Sequence, residues 1–288
     1  MPAATALIAT HNHAETLRHS IASVQNQSLQ DFELFVVGDG VGDDTRDILS
    51  EFLAADGRIR FFDLPKGPRK GEVHRHAALL EARGRIVAYL GDDDLWFTNH
   101  LATLDDLLRK VDFGHTLNLS INRNGVLIAL AANLENPGFR QRMLSEQFNR
   151  FDLTFGGHTL FAYRRLRRGW ETTPPEFPFT DLFMWRKFLS EPWCRAASAM
   201  VPTGICTATH LRPDMSNRER AEELAVWAQQ IKRPEFHAQL ALSIIEAFAF
   251  ESVHYEQRLL ALERLGGIGH QKQAARPPVA PGRGRSRP

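Results

Sequence analysis

"RIVAYLGDDDLWF" (residues 85–97) sets three adjacent carboxylates, Asp92, Asp93 and Asp94, directly after an apolar run with the length of a buried strand. Like charges at this spacing repel, and a carboxyl desolvated among them is driven to protonate unless a cation compensates. In open parallel sheets ligands collect beyond the carboxyl ends of the strands, which is where the cluster falls if 85–90 is a strand. Oxygen-only donors suit hard ions such as Mg²⁺ or Mn²⁺, which take one or two carboxylates and complete their shell with water and substrate phosphates. The stretch therefore points to a cation site for a nucleoside diphosphate or similar anion. A plainer reading, acids favouring the start of a helix entered at "LWFTNHL", accounts for one Asp more readily than for three.

Outward from this stretch, short apolar runs alternate with helical patterns through about residue 110, the signature of βαβ units and a mostly parallel sheet. Strands are expected at 5–9, 33–37, 58–62 and 85–90. In the first crossover Leu17, Ile21 and Val24 share one helical face, and Asn12 followed by Glu15 resembles a capping box, so the helix should begin at Asn12 or His13. Further helices are expected at 43–55, with Asp43 and Asp44 at its positive end, at 71–83 and at about 97–110. The alternation then breaks. "HTLNLSI" (115–121) and "GVLIALA" (125–131) read as strands about the turn "NRNG", and "TLFAY" (159–163) as another, which implies a mixed sheet in the second half. Residues 218–265 are helical in pattern, and the 238–250 stretch reads as core or dimer interface rather than a membrane-lying anchor, because its polar face is not basic.

The apolar and charged fractions, 43% and 24%, are those of an ordinary globular chain of one large domain or two small ones. From Gly266 onward there are five basic residues (Lys272, Arg276, Arg283, Arg285, Arg287) and no acids, in a Pro- and Gly-rich tail too poor in apolar residues to fold. The rest of the chain is net acidic, so no nucleic-acid partner is expected. Cys194 and Cys206 are too few for a disulfide framework and lack metal-ligand spacing. No leader pattern opens the sequence and no run reaches the roughly 18 apolar residues of a spanning helix, so a cytoplasmic location is expected.

Four stretches, in order and spacing, resemble a family 2 inverting glycosyltransferase of the GT-A fold: "ALIATHNHAETLRHSIASVQNQSLQDFELFVVGDGVGDDT", "GEVHRHAALLEARGRIVAYLGDDDLWFTNHL", "PFTDLFMWRKFL" and, more loosely, "TATHLRPDMSN". Together they cover about residues 4 to 215. The resemblance implies an α/β fold with a Rossmann-like mixed central sheet flanked by helices. Residues 1–112 would form the donor half and 113–215 the acceptor half of one domain, followed by a helical extension (216–265) and a disordered basic tail (266–288). It places Thr10 and Asn12 near the donor base or ribose, Asp39 on the base with Gly38 where the family has a further acid, and Arg75 toward the nucleotide. Asp92 and Asp94 become the ends of an Asp-x-Asp element, with Gly91 in place of a leading Asp. Asp94 is then the expected direct ligand of Mn²⁺ or Mg²⁺, Asp92 a metal or ribose contact, Asp93 a third candidate, and His210 a further metal contact. On an extended segment Asp92 and Asp94 would point the same way. Thr180-Asp181 stands where the family has Glu-Asp, making Asp181 the expected catalytic base.

The implied activity is transfer of a sugar, UDP-linked by preference, to a saccharide or lipid-linked acceptor hydroxyl in cell-surface polysaccharide or glycoconjugate synthesis. Rival readings are a nucleotidyltransferase, for which a Gly-rich phosphate loop after the first strand is missing, and a non-catalytic nucleotide-sugar-binding module, suggested by Gly38, Gly91 and Thr180. His11, His13, His74 and His76, spaced in pairs two apart, lack the geometry of a zinc site and are expected to be structural or solvent-facing. Arg164, Arg165, Arg167 and Arg168, beside Trp170, offer a peripheral contact at the inner face of a membrane, although a solvated helical face is the preferred reading. The long C-terminal helices have the length to pair in a homodimer.

Overall fold

The structure, a computed structural model, describes residues 1–122, 125–207 and 214–273. Strands β1 (Ala4–Thr10), β2 (Phe32–Asp39), β3 (Ile59–Leu64) and β4 (Ile86–Gly91) pair in parallel in the order β3-β2-β1-β4. The crossovers are α1 (Ala14–Gln25), α2 (Asp43–Ala55) and α3 (Glu72–Leu80). β1 and β4 read as near-continuous apolar runs because they are buried along almost their whole length, β2 is buried throughout but carries Glu33, and the edge strand β3 is only partly buried. On one face Ile8, Leu34 and Val36 pack with Leu17, Ile21 and Val24 of α1. On the other, Leu7, Phe35, Val87 and Tyr89 pack with Ala78 and Leu79 of α3. The capping box does not form: His13 is the N-cap of α1 and no side chain closes it, the His13 ring being turned to Asp92 instead.

Beyond β4 come β5 (Leu95–Trp96), α4 (His100–Leu107), β6 (Phe113–Ile121), β7 (Leu127–Leu130) and α5 (Pro137–Ser145). A single 3₁₀ turn (Leu153–Phe155) leads into β8 (Gly156–Thr159), α6 (Leu160–Arg165) and α7 (Thr180–Leu189). β9 (Ala196–Pro202), β10 (Gly204–Ile205), α8 (Asn217–Gln230) and α9 (Phe236–Gln273) complete the order. β8 lies antiparallel between β4 and β6, β7 is antiparallel to β6, and β9 is parallel to it, so the second half of the sheet is mixed, as expected. "TLFAY" is not a strand. Only Thr159 belongs to β8, and its hydroxyl accepts the Ala162 N–H at 3.0 Å, which turns the chain into α6.

The chain divides into two compact units, 1–240 and 241–288. Leu240 is buried in the first. In the second, Leu242, Ile245, Phe250 and Val253 of α9 are each more than half exposed, so the core reading of 238–250 fails from Ala241 onward. α9 runs past the Gly266-Gly267 pair to Gln273, into the segment expected to be tail; residues 274–288 lie outside the described residues. Among the described residues no helix is long and apolar enough to cross a membrane.

Candidate functional site

Sheet register gathers most of the predicted site residues at one edge. Thr10 pairs with Gly38, and Ala9 with Gly91, so the carboxyl ends of β1, β2 and β4 lie side by side. Thr10 is buried and its hydroxyl has no hydrogen-bond partner. Asn12, by contrast, is exposed; its carbonyl accepts the Asn217 amide of α8 at 2.7 Å. Arg75 of α3 is buried, donates to the Lys70 carbonyl at 3.2 Å and lies 5.2 Å from the Trp170 ring centroid. Its Nε and the Glu72 Oε1 one turn earlier are buried and without partners. Burial lowers the Arg75 guanidinium pKa, against the attraction of Glu72, Tyr89, Asp92 and Asp39. Buried polar atoms are almost always paired, so the unpaired Arg75 Nε and Glu72 Oε1 and the unpaired Thr10 hydroxyl stand free to meet a polar ligand.

Asp39 is more enclosed than its expected role on a base requires. Its two oxygens accept from Lys66 Nζ and Gly67 N–H, both at 2.6 Å, and His74 approaches to 3.4 Å. Burial opposes its charge, but Lys66 and Gly67 outweigh it and hold the carboxyl below the usual carboxylate range. Asp39 thus anchors the loop 65–71. From that loop Arg69, in a left-handed conformation (φ 51°), donates to the carbonyls of Thr173 (3.1 Å), Phe177 (3.0 Å) and Pro174.

The acidic stretch is a turn, not an extended segment, so the expected alternation of Asp92 and Asp94 does not hold. Asp92 Oδ1 meets His13 Nδ1 at 3.0 Å, and this hydrogen bond raises the imidazole to about 9 against the opposing effect of burial. Asp94 points elsewhere: Oδ1 accepts the Thr207 N–H at 2.9 Å and Oδ2 the Thr154 hydroxyl. It is buried, and desolvation with the neighbouring Asp93 charge drives its pKa well above normal. Its carbonyl also accepts from Ser20 Oγ at 2.9 Å. Asp94, expected as the direct metal ligand, is therefore held by protein groups on both oxygens, Asp92 is met on one oxygen by His13, and Asp93 is half-buried. Gly91 fits this seat, because a Cβ there would stand 2.5 Å from Asp94 Oδ2. Gly38 is likewise set by packing, with Phe61 Cε2 2.9 Å from the place of its absent Cβ.

Asp181 is the second residue of α7 and accepts from Asn149 Nδ2 and from the Leu182 N–H, both at 2.8 Å. It is half-buried by accessible area, yet desolvation is the main cause that raises its carboxyl to about 7, with the Asp152 charge adding to it. The charge of Asp152 acts on Asp94 as well. Asp152, N-cap of the 3₁₀ turn, thus lies within electrostatic reach of both acids. Sequence reading missed Asn149, Asp152 and Thr154, and did not foresee the contact of His13 with Asp92. The available signal was the set of polar residues interrupting apolar "NRFDLTF".

Among the described residues no three His, Cys, Asp or Glu side chains converge to hold a metal ion, and His210 lies outside them. Asp92 and Asp93 nevertheless supply the hard oxygen donors that Mg²⁺ or Mn²⁺ prefers when phosphates and water complete the shell.

The family model for glycosyl transferase family 2 matches residues 5–165. The GalNAc(5)-diNAcBac-PP-undecaprenol beta-1,3-glucosyltransferase of Campylobacter jejuni is 32% identical over 118 residues, 40% of this chain and 36% of that protein. The UDP-Glc:alpha-D-GlcNAc-diphosphoundecaprenol beta-1,3-glucosyltransferase WfgD of Escherichia coli is 32% identical over 124 residues, 42% of this chain and 47% of that protein. The chain thus spans less than half the length of these curated relatives. Among solved structures, S. aureus TarS 1–349 in complex with UDP-GlcNAc superposes with a TM-score of 0.58 at 16% identity, covering 79% of this chain and 70% of that one. The likeness shows the GT-A fold expected from the sequence.

Proposed function

Because the chain belongs to glycosyl transferase family 2, we propose that it transfers a sugar from a nucleoside-diphosphate donor to an acceptor hydroxyl with inversion at the anomeric carbon. The observation that carries this reading is the carboxyl of Asp181, raised to about 7 and sharing the field of Asp152 with the acidic turn at the end of β4. A carboxyl poised there can take a proton at neutral pH.

In the proposed reaction the acceptor oxygen attacks the anomeric carbon from the face opposite the leaving diphosphate, through an oxocarbenium-like transition state. As the new C–O bond forms, Asp181 accepts the hydroxyl proton; the bond to phosphate breaks with its electron pair on the departing oxygen. Asn149 and the Leu182 N–H aim the carboxylate. Thr10, Glu72 and Arg75 offer their unpaired polar atoms to the nucleotide. A divalent cation held by Asp92 and Asp93 would offset the charge growing on the leaving phosphate. Asp39 acts at one remove, by fixing loop 65–71. In this proposal 1–112 is the donor half, 113–215 the acceptor half and 216–265 an extension.

Two relatives named for diphosphoundecaprenol-linked substrates, one also for UDP-Glc, support a UDP-sugar donor and a lipid-linked saccharide acceptor in polysaccharide or glycoconjugate synthesis. The non-catalytic alternative loses its main motive, since packing accounts for Gly38 and Gly91. Calorimetry with UDP, UDP-sugars and GDP-sugars, with and without Mn²⁺, tests the donor site, and transfer to a diphosphate-linked lipid saccharide tests the acceptor. Cation-dependent binding of a uridine nucleotide is expected; no response to any nucleotide would overturn the assignment.

A further inference from the structure

The arginines of "YRRLRRGW" take no part in the site just described, and their surroundings are not those of a simple solvated face. Phe161, Arg164 and Arg165 share one side of α6 at i, i+3 and i+4, and Phe161 is 69% exposed. The Arg165 guanidinium lies 4.1 Å from the ring centroid of Trp193 and 5.7 Å from that of Phe161. Arg167 and Arg168 line two adjoining cavities of about 390 and 310 Å³; the larger is also bounded by Arg164 and by Leu80, which is 66% exposed. Glu171, an acid common to both cavities, is already met by Lys187 at 2.6 Å and Arg168 at 3.5 Å. Among the described residues Arg167 makes no ion pair, and Arg164 bonds the Ala82 carbonyl. Glu191 also lines the smaller cavity, so the four arginines and Lys187 stand against two acids; positive charge is in excess and is mixed with exposed aliphatic and aromatic groups.

A free anion would satisfy only the charge. A bilayer interface presents negative headgroups together with an apolar boundary, which is what arginines interleaved with Phe161, Trp193 and Leu80 complement. We propose that this face docks the chain peripherally on an anionic lipid bilayer, the arginines meeting headgroups and Phe161 and Leu80 meeting the acyl boundary. This goes beyond the transferase reading, and its test needs no sugar donor, so either can fail alone.

The test is flotation of the full chain with phosphatidylcholine vesicles, with or without a minor fraction of phosphatidylglycerol, over a range of salt. Binding to the anionic vesicles alone, weakened by salt, is expected. The double variant Arg167→Glu, Arg168→Glu should lose at least about thirtyfold in affinity, at roughly fivefold per arginine removed. Phe161→Ser, at an exposed position, should lose several-fold while thermal unfolding is unchanged. Equal binding to neutral vesicles would overturn the proposal. Full binding by the double variant would move the attraction to the basic tail and overturn it too. Displacement by inorganic phosphate at constant ionic strength would reveal a small-anion cavity instead. Binding to polyglutamate indifferent to Phe161→Ser would assign the face to an acidic protein.

Discussion

Thr154 donates its hydroxyl to the carboxylate of Asp94, 60 residues earlier in the chain, and accepts the Gly91 N–H at 3.0 Å with the same oxygen. One side chain from the 3₁₀ turn thereby clamps the end of β4 and fixes which acid of the triplet is buried. Asp94 is the keystone of the turn, and Asp92 and Asp93 are the carboxylates proposed to meet a cation.

Thr154→Val should accordingly destabilise the fold by about 1–3 kcal/mol, the usual cost of leaving a buried polar group unsatisfied. Asp93→Asn should lose cation-dependent nucleotide binding. Urea unfolding and calorimetry on the same pair separate the roles; intact cation dependence in Asp93→Asn would return the ligand role to Asp94.

Asp181→Asn should leave donor affinity unchanged and lower kcat by about 10²–10⁴-fold, the range of general base catalysis. In the parent protein kcat/KM should rise as pH passes through about 7, because only the ionised carboxylate accepts the acceptor proton. The linked stability effect has the opposite sense. A carboxyl raised on folding favours the folded state while protonated, so its contribution falls as pH climbs from the ordinary Asp value through about 7. Thermal unfolding of Asp181→Asn should be flatter over that window than that of the parent.

Gly91→Asp would restore the leading acid common in similar proteins, yet its Cβ would enter the space of the Asp94 carboxylate. A loss of about 1–3 kcal/mol is expected, as for other overpacked positions, with no gain in cation affinity. Gain of both would show that the seat of Asp94 is not rigid.

Arg75→Lys keeps the charge but loses the planar group over Trp170 and the reach of the guanidinium. Donor affinity should fall by about 1.5 kcal/mol, the scale of a charged hydrogen bond, with kcat little changed at saturation. A change confined to kcat would place Arg75 in the chemical step.

The first half of the molecule was legible because its strands are short, largely apolar runs and its first crossover helix keeps a strict apolar face of Leu17, Ile21 and Val24. "TLFAY" misled because its four apolar residues fit a buried strand or a helical turn equally, and only the Thr159 cap decides. β9, with three alanines and a serine in seven residues, has almost no strand signature. Asp181 and the acidic triplet could be named as candidates from the sequence. Site geometry was not: Thr154, Asn149 and Asp152 act across long stretches of chain, and nothing local marks Asp94 as the buried member.

The bonds from Arg69 to Thr173, Pro174 and Phe177 carry a consequence for engineering. They tie the loop after β3 to the segment that enters α7, across the boundary at 112/113 where one would cut to graft a foreign acceptor half. A chimera joined there would sever the tie and leave Arg69 in its left-handed conformation with no carbonyls to hold it. A graft of residues 113–215 would therefore have to bring loop 65–71 with it, or offer the host's Arg69 the same three carbonyls.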